Sequence, residues 1–223
     1  MKRYMADKNN KGFSLVELII VIAIMALLVA IIAPSLLQYI NKSKKAVDIN
    51  NSESVGEVFM YAAMDPTEPD TIAVGKYLSI SAKFAKSENR LSKNHYYRVL
   101  AFQNAGYQTV QFQLMNFNTS NSGLTSNDLA AVTRQMQNVC EGLRPLKFTK
   151  NITLDQWVIC CDEKERIYVF ITGGVNNNRW YLYSDNNGYD YKVMGNDSFK
   201  AYMVWPETCQ GYLDLRTPND ADH

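Results

Sequence analysis

The sequence predicts an α+β protein in which one long N-terminal helix packs on an antiparallel sheet, followed by a second helix and a further β meander. Sixteen consecutive apolar residues at positions 18–33 form the core of the first helix. Apolar residues at a broken helical spacing then continue this helix to Met64. Beyond residue 95, short alternating or apolar runs separated by turn signals predict strands.

The overall composition is that of a folded chain without a strong electrostatic bias. The 223 residues are 47% hydrophobic and 20% charged, which excludes a wholly disordered protein. The formal net charge of +1 creates no global field that favours nucleic acid or an acidic partner. Four cysteines are too few for a miniprotein built on disulfides. Function therefore has to be inferred from local features.

The apolar run near the N-terminus is long enough to cross a membrane. Residues 18–37 would form a helix of about 30 Å at ~1.5 Å per residue, which matches the hydrocarbon core of a bilayer. A secretory signal peptide has a shorter apolar region followed by a small-residue cleavage site, and this run has neither feature. The run is therefore expected to stay in the mature protein, with Pro34 allowing a bend near its end.

The segment ahead of this run carries a specific pattern. Residues 1–12 are polar, contain four basic residues and end in Gly12, which is followed by Phe13. Glu17 lies four positions after Phe13 and directly precedes the apolar run. This combination resembles the class III signal sequence of type IV prepilins and pseudopilins, and Pro34 falls where many members of that family have a helix-bending proline. The resemblance covers residues 1 to about 65.

The resemblance implies how the chain is processed. A prepilin peptidase is expected to cleave after Gly12 and to methylate the new amine of Phe13, so that 1–12 is a leader and 13–64 a long helix. The leader holds four basic residues and one acidic residue, and its removal leaves 19 basic and 21 acidic residues, a net charge of −2. Glu17 of one subunit would then neutralise the amine of a neighbour and set the stagger between subunits.

The same resemblance implies a location and a set of partners. The protein is expected first as a single-pass protein of the cytoplasmic membrane and then in an extracellular pilus, assembled with other pilin subunits by an assembly ATPase and a platform protein. We expect a structural subunit and not an enzyme, and the chain's length and second helix favour a minor pilin. The alternatives are a pseudopilin of a type II secretion or competence system, and a tip subunit that binds a host surface, a sugar or DNA.

Residues 65–223 are expected to form an extracytoplasmic head, either as one module or as two that divide near residue 124. On the long helix, Lys45 and Asp48 are assigned to the polar surface. Residues 71–93 are ambiguous, with a short strand suggested at 77–80. Strands are predicted at 96–103, 107–117, 157–161, 167–172, 180–184, 189–194 and 201–205, and a helix at 126–143. The tail at 217–223 is expected to be frayed.

The four cysteines leave three states open. Cys140 lies near the end of the predicted second helix, Cys209 follows the last strand, and Cys160 and Cys161 end a strand and should point to opposite faces. An extracytoplasmic location and the family's habit of a C-terminal disulfide loop imply a disulfide between Cys161 and Cys209. A structural zinc held by cysteine thiolates is the second state, and ordinary free thiols are the third. No other cofactor is expected.

Catalysis and ligand binding have weaker support in the sequence. The histidines are His95 and His223, and the motifs HExxH, GxSxG and GxGxxG are absent. Five aromatic residues around the last hairpin would either fill the core or stack on sugars or bases. They are Trp180, Tyr181, Tyr183, Tyr189 and Tyr191. Because side chains alternate along a strand, core packing is expected for about half of them.

Overall fold

A computed structural model describes residues 13–64, 68–89, 96–104, 112–115, 122–140, 143, 145–150, 153–184 and 191–222. The chain divides into two compact units, Met1–Ile40 and Asn41–His223. The helices are α1 (Leu15–Met64), α2 (Pro69–Asn89), α3 (Ser126–Cys140), α4 (Gln210–Asp214) and a 3₁₀ helix (Pro218–Asp222). The strands are β1 (Tyr96–Asn104), β2 (Gln113–Leu114), β3 (Gln156–Cys161), β4 (Ile167–Thr172), β5 (Tyr181–Ser184), β6 (Tyr191–Val193) and β7 (Asn196–Trp205).

Helix α1 has 50 residues and confirms the long helix predicted from the apolar spacing. The helix continues through Pro34, which cannot donate a hydrogen bond to the preceding turn. One residue later, the Ser35 hydroxyl donates to the carbonyl oxygen of Ile32 at 2.9 Å. The overall α+β architecture, a long apolar helix followed by an antiparallel sheet and further helices, is also as predicted.

The described strands form one antiparallel sheet that closes on itself. Its order is β2-β1-β3-β4-β7-β6-β5, and β5 pairs again with β1. Closure is possible because the first half of β1 pairs with β5, from Tyr96 to Arg98, whereas Ala101 and Phe102 in its second half pair with β2. The other edge of β1 pairs with β3. Strands from both sides of residue 124 therefore lie in a single sheet.

The two faces of the closed sheet carry two hydrophobic clusters. The inner cluster includes Tyr97, Val99, Val158, Phe170 and Leu182. The other cluster joins the outward side chains of β1, β3, β4 and β7 to the helices, and includes Val55, Phe59, Tyr77, Val132, Trp157, Ile159 and Tyr212. The neighbours Cys160 and Cys161 fall in different clusters, which confirms that they point to opposite faces.

Residues 69–89 form helix α2, so the short strand predicted at 77–80 is wrong. Pro69 occupies the first helical position, where the missing N–H of a proline has no cost. Buried residues then recur at helical spacing along the whole segment: Ala73, Val74, Tyr77, Leu78, Ser81, Ala82 and Ala85. The Tyr77 hydroxyl donates to the carbonyl oxygen of Leu100 at 2.8 Å and thereby joins α2 to β1.

The C-terminal tail is folded as far as residue 222, so the prediction of a frayed tail is wrong. The Asp220 carboxylate accepts the backbone N–H groups of Arg216 and Thr217, both at 2.8 Å, and Ala221 is buried. The last strand is also longer than predicted, since β7 begins at Asn196. Asn104, the first residue of the predicted hairpin turn, ends β1. The rest of that turn, 105–106, and most of the strand predicted at 107–117 lie outside the described residues.

A close contact between α1 and β7 leads to a first prediction. A Cβ atom added at Gly56 would lie 2.5 Å from Cδ2 of the Trp205 indole. Glycine to alanine in a helix normally stabilises by about 1 kcal/mol, but overpacking a filled site costs about 1–3 kcal/mol. We therefore expect Gly56→Ala to lower the free energy of unfolding, measured by urea denaturation. Gly75→Ala in α2 is the control, because its Cβ would meet only Ala63 O at 3.5 Å, and it should stabilise the protein.

Candidate assembly site and head surfaces

The N-terminus of α1 is capped by hydrogen bonds from backbone N–H groups to the side chains of Ser14 and Glu17. The Glu17 carboxylate accepts the backbone N–H of Ser14 at 2.8 Å, and the Ser14 hydroxyl accepts the backbone N–H of Val16 at 3.3 Å. The first N–H groups of a helix have no intrahelical partners, and a Ser-x-x-Glu capping box satisfies them in this way. The hydrogen bond holds the carboxylate at the backbone of Ser14, and the preceding residue, Phe13, is 87% exposed. Gly12 and the rest of the leader lie outside the described residues.

The part of α1 that follows Glu17 has apolar side chains on all sides. Every large hydrophobic side chain from Leu18 to Tyr39 is at least 47% exposed. Among the described residues, α1 is the helix that is long and apolar enough to cross a membrane. Apolar surface of this extent is unfavourable in water, so this segment requires lipid or other apolar helices around it.

Within the second unit, a buried lysine on α1 binds the end of helix α4. The Nζ atom of Lys45 donates to the carbonyl oxygens of Tyr212 at 3.3 Å, Leu213 at 2.5 Å and Leu215 at 2.7 Å. These carbonyls lie at the negative end of the α4 dipole. Because no helical turn follows, no backbone N–H of the helix donates to them. Lys45 is only 7% exposed, and burial lowers the pKa of its ammonium group.

One helical turn further along α1, Asp48 binds the segment that follows α3. Its two carboxylate oxygens accept the backbone N–H groups of Lys147 at 2.8 Å and Phe148 at 2.7 Å. The side chain is fully buried, and burial raises the pKa of this carboxyl to about 6 although the two hydrogen bonds act in the opposite direction. Lys45 and Asp48 were assigned to the polar surface from the sequence, and that assignment is wrong.

We name Lys45 and Asp48 the α1 clasp, because together they hold two distant segments of the head to one helix. Sequence reasoning missed the clasp because an isolated lysine or aspartate is most often exposed. A signal was present, since residues three apart lie on the same helix face. That face also includes Ser52, which is buried, and Val55, which lies in the core.

The raised pKa of Asp48 gives a prediction for pH dependence. The folded-state pKa of about 6 exceeds the ordinary value of 3.8. Between these values the folded state binds more protons than the unfolded state, so the free energy of unfolding falls as pH rises. We expect Asp48 alone to lower it by about 2–3 kcal/mol between pH 4 and pH 7.

The measurement is urea unfolding at several pH values in this range, with Asp48→Asn as the variant. The asparagine cannot ionise, so the fall in stability with pH should become smaller by that amount. Asp155, which is half-buried and whose pKa is also raised to about 6 by burial, keeps its own contribution in both proteins. Equal pH dependence in the two proteins would contradict the assignment.

The structure contains free thiols at three of the four cysteines. Cys160 and Cys161 are buried and Cys209 is half-buried, so the disulfide expected between Cys161 and Cys209 is not formed. Burial raises the pKa of all three thiols, which keeps them protonated and unreactive. Within the described parts of the chain, no three His, Cys, Asp or Glu side chains come together as metal ligands. The side chain of Cys140 lies outside the described residues.

The aromatic residues of the last hairpin divide between the core and the surface. Tyr181 and Tyr191 are buried, Tyr183 is half-buried on the outer face, and Trp180 is 44% exposed. Tyr189 lies outside the described residues. The Arg98 guanidinium carbon lies 5.1 Å from the Trp180 ring centroid and 5.0 Å from that of Tyr181. These distances are typical of cation–π interactions, which fix the rings in position.

A pocket of about 590 Å³ in the second unit is lined mainly by apolar side chains, among them Met60, Met64, Leu78 and Trp205. The charged residues at this pocket belong to the turn between β3 and β4. There Arg166 pairs with Asp162 at 2.6 Å. The lining therefore consists of a hydrophobic recess beside a surface ion pair, which is not a nucleophile–base arrangement.

The chain has an apolar helix with an acid in its first turn, followed by an antiparallel sheet and further helices, and this α+β architecture is consistent with a pilin fold. Residues 7–33 match the family model of the prokaryotic N-terminal methylation motif. The chain therefore carries a class III prepilin signal, the signal that type IV pilin-like proteins and pseudopilins have in common. This motif points to a structural subunit that is processed by prepilin peptidase and assembles into polymers. No curated protein matches the chain, and no solved structure matches it either.

Proposed function

We propose that this protein is a minor pilin, a structural subunit that is stored in the cytoplasmic membrane and then polymerised into a type IV pilus on the cell surface. The observation that carries the proposal is the methylation motif at residues 7–33 on a helix whose large apolar side chains from Leu18 to Tyr39 are all exposed. Lipid removes these side chains from water, and so do identical helices around it in a filament core.

Processing converts the membrane protein into a subunit that can assemble. Hydrolysis of the bond between Gly12 and Phe13 releases the leader and creates a cationic amine on Phe13, which the peptidase then methylates. The dipole of α1 disfavours a cation at this end of the helix. A carboxylate is therefore needed nearby, and Glu17 is the acidic residue of the first turn.

Glu17 can serve both the stored and the assembled state. In the single chain, one carboxylate oxygen accepts the Ser14 N–H, so the acid is partly satisfied within its own helix. The second oxygen remains able to accept a hydrogen bond from the Phe13 amine of a neighbouring subunit. Because desolvation offsets much of the attraction of a buried ion pair, this contact contributes register more than affinity.

The choice of a minor pilin rests on the size of the head, which carries α2 and α3 in addition to the sheet. Peptide mass spectrometry of filaments sheared from cells tests the proposal. We expect a methylated peptide that begins at Phe13, at low abundance relative to another pilin. A dominant abundance would make the protein the major pilin, and its absence from surface filaments would favour a pseudopilin. An intact leader on the assembled form would refute polymerisation by this route.

A further inference from the structure

Three cations lie around α1 just beyond the end of its apolar run. Lys42 and Lys44 follow Leu37, the last residue of that run, by five and seven positions. In a helix that rises ~1.5 Å per residue, they lie roughly 8–10 Å beyond the run. Arg216 is held beside them, because its carbonyl oxygen accepts a hydrogen bond from the Asn41 side chain at 3.1 Å. We name Lys42, Lys44 and Arg216 the basic collar.

The members of the collar lie on different sides of α1. Successive residues of an α-helix are rotated by about 100°, so Lys42 and Lys44 are about 160° apart around the helix axis. The helix face that binds the head lies between them and includes Lys45 and Asp48. Arg216 follows the segment whose backbone carbonyls bind Lys45. Cations are therefore present on both flanks of the helix and on the head segment that packs against it.

The charges of the collar are available to a partner. All three side chains are exposed, and no salt bridge in the described part of the chain involves them. The exposed acids at this end of the head are bound to other groups. Asp214 accepts the side-chain amide of Gln210 at 2.7 Å, and Asp220 accepts the backbone N–H groups of Arg216 and Thr217. Exposed cations that no carboxylate binds directly favour an anionic partner.

The position of the collar along α1 matches the headgroup layer of a bilayer. The hydrocarbon core is ~30 Å thick, and the headgroups add about 5–8 Å on each side. Side chains of an α-helix lean toward its N-terminus, which for α1 is the apolar end. Lys42 and Lys44 therefore lean back toward the apolar run, and long cationic side chains reach lipid headgroups in this way. Lipid around the run is thus the anionic partner that lies within reach of the collar.

We propose that the basic collar binds the anionic headgroups of phospholipids in the membrane where the subunit is stored, on the side that the head faces. The proposal rests on membrane storage, which is part of the proposed function. A cation near an anionic membrane surface contributes only a modest attraction. Three of them would hold the base of the head at the lipid and still allow the subunit to be drawn into a filament.

The test uses the full-length protein in nanodiscs of phosphatidylcholine that contain one third phosphatidylglycerol. A trace of either lipid carries a photoreactive diazirine on its headgroup, and mass spectrometry of peptides locates the crosslinks. The diazirine inserts into C–H and N–H bonds alike, so labelling does not require a lysine. We expect phosphatidylglycerol to label the peptides around Lys42 and Arg216 at least fivefold more than phosphatidylcholine does. Crosslinks to the basic leader fall in a different peptide and are counted separately.

Substitutions assign the labelling to the collar. Lys42→Gln, Lys44→Gln and Arg216→Gln should each reduce labelling of these peptides by phosphatidylglycerol by about fivefold at 20 mM salt. Arg216→Lys keeps the charge and should label as the unaltered protein does. The matched control is Lys164→Gln, which removes an exposed cation from the turn between β3 and β4 and should change nothing. Added salt should weaken the preference, because it screens exposed charges.

Three results would overturn the proposal while leaving membrane storage intact. The first is equal labelling of the collar peptides by the two lipids, and the second is unchanged labelling in all three glutamine variants. The third is loss of labelling when inorganic phosphate is added but not when sodium chloride of the same ionic strength is added, which would make the collar a site for free phosphate. Failure of the protein to enter the nanodiscs would instead refute membrane storage, and the collar proposal with it.

Discussion

Replacing Glu17 by alanine is expected to leave the protein inserted in the membrane and to reduce its incorporation into filaments by at least tenfold. Removing one partner of a buried ion pair costs about 3–5 kcal/mol, and each ~1.4 kcal/mol is a factor of ten. The apolar run at residues 18–37 is unchanged, so insertion should persist. The measurement compares the amount of the protein in sheared filaments with the amount in membranes.

A second substitution separates the charge of Glu17 from its role at the helix start. The side-chain oxygen of a glutamine can accept the Ser14 N–H as the carboxylate does at 2.8 Å, so Glu17→Gln keeps the capping box and removes only the charge. If the charge directs assembly, Glu17→Gln should fail as Glu17→Ala does. Glu57→Ala, which changes an exposed acid elsewhere on α1, serves as the control. If Glu17→Gln is incorporated normally, the charge of Glu17 is not needed for assembly and the residue only caps the helix.

Replacing Lys45 by methionine is expected to produce the largest loss of stability in the head. The substitution keeps most of the side-chain volume but leaves the carbonyl oxygens of Tyr212, Leu213 and Leu215 without their shared donor. A hydrogen bond to a charged group contributes about 1.5–3 kcal/mol, and buried acceptors without a donor add their desolvation cost. We therefore expect the free energy of unfolding to fall by about 3 kcal/mol.

The measurement is urea denaturation of the full-length protein in detergent, followed by tryptophan fluorescence. Lys44→Met is the matched control, because Lys44 is the exposed neighbour of Lys45 on the same helix. It should change the free energy of unfolding by less than about 0.5 kcal/mol. A loss of similar size in both variants would show that removing positive charge from this part of α1 is responsible, and would refute the clasp.

The sequence predicts helices α1 and α3 and most strands of this protein correctly, because their apolar periodicity is local. Strands β3 and β4 are found within one residue of their predicted bounds. The predicted second helix is present as α3, which ends at Cys140, before its predicted end at 143. Helix α2 was missed because 77–80 were interpreted alone as a strand, although the stripe from Ala73 to Ala85 has helical spacing throughout.

Residues whose role depends on distant partners could not be predicted. The partners of Asp48 lie about one hundred residues away in the chain, and those of Lys45 lie still further. The same limit applies to the thiols of Cys161 and Cys209. Their order in the chain allowed a disulfide, whereas the folded protein keeps both as free thiols.

The amino-acid sequence by itself determined the helix that is long and apolar enough to cross a membrane, the prepilin signal in front of it and the α+β class of the chain. Each of these depends on residues within one or two helical turns, or on alternation within one strand. Only the tertiary structure decided that the sheet closes through β1 and β5, and that Lys45 and Asp48 are buried. Strand register and burial depend on contacts between segments far apart in the chain, and local propensity does not specify those contacts.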